Sequence, residues 1–232
     1  MKLKKIASLM LAGVMAVSML TACGSNAIDE QPPVDNGEDT TPATGYSATV
    51  QSKLSQISNV KLTLSDDANL DKALDYAVGF ASAHKIGDWY VGHDNMAMID
   101  GESATSAGEV TKSVIEAMDA GKDGLSMADT EDVRDFLSPD AKDYTNDDVD
   151  VVFTYIINGH TNMNNVLELV AEDISKDIMD NLSIVYNVGN GQNSEVPYYY
   201  TGSVSAKTVD LDNSHGVSAT FVAVELVRHI GK

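Results

Sequence analysis

Between Asp67 and Gly87 the apolar residues Leu70, Ala73, Leu74, Ala77, Val78 and Ala81 recur at spacings of three and four, the rhythm of one buried stripe on an α-helix. A second helix is predicted from Ser106 to about Met118. Its stripe is Val110, Val114 and Met118, Ser106 and Glu109 have capping-box spacing, and Gly121 is the stop. A short third helix near Glu131–Leu137 is closed by Pro139. A fourth is expected to follow Thr145, capped with Asp148, carrying Val149, Val152, Phe153, Ile156 and Ile157 on one face and ending at Asn158. The fifth runs from about Asn162 to Asp180, with Met163, Val166, Val170, Ile174 and Ile178 inward.

After Asn181 the period changes from helical to alternating. Leu182, Ile184, Tyr186 and Val188 alternate, as does Tyr198 to Val209; a turn at Asp212–Gly216 leads into the β-branched run Val217 to Ile230, and Asn59–Leu64 reads as a further strand. Helices first and strands last predict an α+β domain of about five helices followed by a C-terminal antiparallel β meander.

The N-terminus does not fit that domain. Lys2, Lys4 and Lys5 precede a weakly polar and apolar run from Ile6 to Leu20, the charge and hydropathy order of an export signal too short to span a membrane comfortably. Leu20-Thr21-Ala22-Cys23 resembles the lipobox of bacterial lipoproteins, and Cys23 is the sole cysteine of the 232 residues. The resemblance covers the leader alone. It implies cleavage before Cys23 and a diacylglycerol, with a further acyl chain such as palmitate, on the new N-terminus. Gly24-Ser25 is similar to the Gram-positive type, which implies a membrane-anchored, extracytoplasmic position on the outer face of the bacterial cytoplasmic membrane.

The chain therefore divides into a signal peptide (1–22), a lipidated cysteine with an acidic, proline-containing tether (23–46) and a single folded domain (47–232). Gly24 to Tyr46 holds three of the five prolines and almost nothing to bury. As a flexible coil its ends lie ~27 Å apart, enough to hold the domain off the bilayer. Removing the leader leaves 12 of the 15 basic residues against 35 acidic ones, net −23, which argues against nucleic acid and other polyanions as partners. With one cysteine, no internal disulfide and no thiolate metal site is expected.

Candidate chemistry is sparse. Residues 92–96 read GHDNM and residues 159–163 read GHTNM, so His93 and His160, with Asp94 beside the first, could join in a His/His/Asp metal site. Their flanks do not align as a repeat, and Gly159, read as a left-handed helix terminator with Thr161 or Asn162 capping the next helix, makes His160 a corner residue. Tyr198-Tyr199-Tyr200 places two rings on one face of a strand and one on the other; Tyr198 and Tyr200 form either an aromatic platform, extended by Trp89 and Tyr90, or ordinary core.

Neither Asp210–Phe221 nor Asp119–Thr130 carries the ligand spacing of a calcium loop, and Asp143–Asp150 reads as acid at a helix N-terminus. No zinc-protease helix motif, nucleophile elbow or phosphate loop is present. No cofactor beyond the lipid is expected. The expected function is a lipid-anchored binding or envelope-accessory module contacting a protein or glycan; the alternative is an extracytoplasmic enzyme, such as a metal-dependent hydrolase, using His93 or His160 with nearby acids.

Overall fold

The computed structural model describes residues 45–54, 60–83, 96–119, 127–138, 148–180, 182, 185–187, 195–212 and 217–230. Their elements run α1 (Tyr46–Lys53), β1 (Leu62–Leu64), α2 (Ala68–Ala83), β2 (Ala97–Met98), α3 (Ser106–Ala117), α4 (Thr130–Leu137), β3 (Val149–Asn158), α5 (Met163–Glu172) continuing as a π-helical stretch (Asp173–Ile178), β4 (Val185–Asn187), β5 (Glu195–Asp212) and β6 (Val217–Ile230). The class is α+β; the described residues form five helices and a mixed sheet whose strands pair mostly antiparallel. The sheet order is β1-β5-β6-β3-β2, with β4 on β5; only β1 runs parallel to its neighbour.

The fourth expected helix is β3, a strand lying between β6 and β2. Val151, Phe153, Tyr155 and Ile157 pack on one side of the sheet while Val152 and Ile156 pack on the other. Burial on both faces replaces alternation by a continuous apolar run, and such a run also satisfies a helical template. Six of the ten residues are β-branched and two are aromatic, which is the composition that favours the pleated form. The acids Asp148 and Asp150 consequently stand at the start of a strand, not at a helix N-terminus.

Helices cover both sheet faces. On one face Tyr198, Tyr200, Val204 and Leu226 meet Val50 of α1, Val133 and Leu137 of α4, and Val166, Val170 and Ile174 of α5 and its π stretch. On the other, Val152, Ile156, Phe221 and Ala223 meet Leu70, Leu74 and Val78 of α2 and Val110 and Val114 of α3. The predicted stripes of α3 and α5 are thus the buried ones, as is that of α2 from Leu70 to Val78, while the side chain of Ala81 lies outside the described residues; Met163 and Met118 pack at the margins.

The helix ends are set by local polar groups. α3 is capped by Thr105, whose Oγ1 accepts from Gly108 N at 3.1 Å, one residue before the predicted Ser106. Asp129 caps α4 by accepting from Glu131 N and Asp132 N. At the other end of α4 the guanidinium of Arg228, fully buried, donates to the Leu137 carbonyl at 2.9 Å and lies 5.1 Å from the Tyr198 ring centre. A cation at a helix C-terminus meets carbonyls that have no partner within the helix.

Gly159 has a different role from the one its sequence context suggests. It does not adopt a left-handed conformation. It donates to Ser218 O at 2.9 Å, and a Cβ placed on it would lie 2.7 Å from the Ser218 carbonyl carbon, so glycine here permits close approach to β6. His160 is exposed in the following turn, its N–H held by Asn158 Oδ1 at 3.0 Å, and Asn162 caps α5 by accepting from Asn164 N at 2.9 Å.

Candidate functional site at the polar end of the sheet

The strand register places residues in rows across β1, β5, β6 and β3. Thr63 is opposite Thr201, Thr201 opposite Val227, and Val227 opposite Asp150. One step toward the sheet end, Tyr199 is opposite His229; Lys61, whose carbonyl accepts from Tyr200 N at 2.9 Å, and Asp148, one residue before β3, extend the row on either side. One step inward, Ser203 is opposite Glu225, which is opposite Val152. Alternation puts all of these on the face that α2 and α3 cover only farther along. The end itself carries exposed Lys61, Thr63, Asp148 and Asp150, and Tyr199 is 43% exposed.

His229 is the centre of this end. Its Nδ1 lies 3.1 Å from Asp148 Oδ2 and its Nε2 lies 2.7 Å from Thr201 Oγ1. A carboxylate only accepts, so it fixes a proton on Nδ1; in the neutral ring Nε2 is then an acceptor, and the Thr201 hydroxyl donates to it. The ring is held from one side by Tyr199, stacked at 4.8 Å between centroids and 20° between planes. Asp148 is itself anchored, its Oδ1 accepting from Ile230 N at 3.4 Å. The His229 side chain keeps 21% of its surface, so the relay is reachable from solvent.

Deeper in, the Ser203 hydroxyl donates to Glu225 at 3.0 Å. Burial raises the Glu225 carboxyl above its usual range; the Ser203 hydrogen bond opposes this, and the charges of Asp67 and Asp150 reinforce it.

A second polar feature lies on the opposite face, where α5 passes into its π stretch. Asp173 is pushed up to about 6, chiefly by burial and then by Asp177 and Glu172, with Tyr155 pulling the other way. Tyr155 is fully buried, and burial and the Asp173 charge raise its hydroxyl. Its oxygen lacks a hydrogen bond of ordinary geometry yet lies near enough to Asp173 for the two to be coupled. Ser175 Oγ donates back to Ala171 O at 2.6 Å, the type of side-chain intrusion that loosens an α-helical ladder.

The residues singled out from sequence are distributed differently. Tyr198 and Tyr200 are 5% and 1% exposed and face the core, so neither ring is open to a ligand; the outward ring is Tyr199. His160 occupies the exposed turn after β3. Cys23, Trp89, Tyr90, His93 and Asp94 lie outside the described residues, as does the question of whether the two Gly-His segments meet. Among the described residues no group of three or more His, Cys, Asp or Glu side chains is arranged to hold a metal, and no helix is long and apolar enough to cross a membrane.

The Asp148–His229–Thr201 relay escaped the sequence reading because its members are 28 and 81 residues apart. The usable signal was alternation: Tyr199, Thr201 and Ser203 share one face of β5, and Val227 and His229 one face of β6. Asp148 joins them only through the β3–β6 register, which a helix after Thr145 does not contain. No family model, curated protein or solved structure matches this chain.

Proposed function

We propose that the chain is a lipid-anchored extracytoplasmic module that binds a glycan or protein surface of the cell envelope through the polar end of its sheet. The observation that carries the binding reading is Tyr199: an exposed ring held flat by its stack on His229, with Asp148 and Thr201 beside it. An ordered ring offers apolar contact with little entropy left to lose, and the flanking carboxylate and hydroxyls supply directional partners for a hydroxyl-rich ligand. The lipobox-like Leu20-Thr21-Ala22-Cys23 supports the anchor, since acyl chains on Cys23 would hold the chain at the membrane at about 0.8 kcal/mol for each buried methylene.

Two measurements test the two halves of this reading. Replacing Cys23 by Ala should move the protein from the membrane fraction to the soluble fraction; retention wholly in the membrane would exclude the lipid anchor. Soluble cell-wall polysaccharide titrated against the purified chain should bind, and Tyr199→Ala should weaken it about tenfold, the loss of roughly 1.4 kcal/mol of ring contact. Equal affinity of the two proteins would remove Tyr199 from the site.

A further inference from the structure

We infer that Thr201, His229 and Asp148 form a nucleophile, a base and its orienting carboxylate, able to transfer the acyl group of a carboxylic ester to Thr201. This goes beyond the binding reading, taking the same cluster of side chains for a chemistry that binding does not require. The pattern required for an activated hydroxyl is a base within hydrogen-bond reach of it and a third group fixing the base. Both distances are met, 2.7 Å from Thr201 Oγ1 to Nε2 and 3.1 Å from Nδ1 to Asp148 Oδ2. The proton pattern is also right, because the carboxylate holds the proton on Nδ1 and leaves Nε2 to receive the hydroxyl proton. Tyr199, stacked on the imidazole, keeps the ring from swinging out of line.

In the first step Thr201 Oγ1 bonds to the ester carbonyl carbon while its proton passes to Nε2. The bond to the departing alcohol oxygen then breaks, and that oxygen takes the proton from Nε2, leaving an acyl ester on Thr201. Water completes the cycle: its proton goes to Nε2, its oxygen bonds to the acyl carbon, and Oγ1 leaves and recovers the proton. The products are one alcohol and one carboxylic acid. Asp148, hydrogen-bonded to Nδ1, favours the transient imidazolium.

Thr201 sits within a paired strand, so its neighbouring N–H groups belong to the ladder and do not form an oxyanion hole. Formation of the covalent adduct should therefore be easier to observe than turnover. The full chain, purified in detergent, is treated with an alkyl fluorophosphonate, in which the attacking oxygen displaces fluoride from phosphorus. Peptide mass analysis should find the adduct on Thr201. Labelling should vanish in Thr201→Val, persist in Thr201→Ser, fall about 100-fold in His229→Asn, the contribution of a general base, and fall less in Asp148→Asn.

Thermal unfolding of each variant separates loss of reactivity from loss of fold. An adduct absent from Thr201 in the folded wild-type chain, or formed at the same rate in folded His229→Asn, overturns the inference. A wild-type chain that forms the Thr201 adduct but binds no polysaccharide leaves this inference standing without the binding reading, and one that binds polysaccharide but forms no adduct overturns this inference alone.

Discussion

A methyl group on Gly159 would be forced against Ser218, because the two backbones are joined by the Gly159 N–H to Ser218 O bond at 2.9 Å and cannot separate without breaking it. Gly159→Ala is therefore expected to destabilise the chain by about 1–3 kcal/mol, the usual cost of overpacking, read as a lower urea midpoint with an unchanged slope. Asp173 makes a prediction of opposite sign. Its carboxyl is displaced from 3.8 to about 6 in the folded chain, so the folded state binds more protons than the unfolded state between those values. Stability must then fall as pH rises through that window. Full burial would make the displacement worth about 3 kcal/mol; with about half of the group in water, roughly 1 kcal/mol is expected. Asp173→Asn should stabilise by that amount at pH 7 and lose its advantage below pH 4, as measured by urea unfolding across the range.

At the scale of elements, the contribution of a cap is directly measurable. Thr105 Oγ1 accepts from Gly108 N in the first turn of α3, so Thr105→Ala should cost about 1 kcal/mol. An unfolding temperature unchanged by that substitution would show that the hydroxyl does not hold the helix start.

What could be read in the chain follows the same local logic. The stripes of α2, α3 and α5 were legible because each helix buries one face and leaves the other in water; β5 was legible from alternation near its ends, and β6 from its β-branched run, although both strands are buried on both faces through their middles. β3 was not, because burial on both faces erases the period that separates a helix from a strand, and only its β-branched composition remained as a clue. The site was hidden for the same reason: His229 meets Asp148 only through the β3–β6 register, and a helix in place of β3 turns Asp148 into a helix-capping residue. Tyr198 and Tyr200 were separated correctly from Tyr199 by alternation, but the sign of the alternation, which ring faces water, depends on which side α1, α4 and α5 cover.

For the whole molecule, charge and burial act in one direction. Asp173 and Glu225 lie on opposite faces of the sheet, and burial raises both. Each carboxyl is an acid whose folded form holds its proton at higher pH than the unfolded chain does, so each removes stability as pH rises toward neutrality. The excess of 35 acidic over 15 basic residues adds self-repulsion that grows over the same range. Stability should therefore be higher near pH 5 than at pH 8, the reverse of a protein held together by paired carboxylates. Salt distinguishes the two contributions, because it screens repulsion between exposed charges but does little for burial. Thermal unfolding at pH 8 should rise with added sodium chloride and then level off below the pH 5 value. Asp173→Asn combined with Glu225→Gln should close much of that remaining gap, since the side-chain amide introduced by the second change can still accept from Ser203 while carrying no charge to bury. An unfolding temperature in the double variant that keeps the full wild-type dependence on pH at high salt would show that other groups govern it.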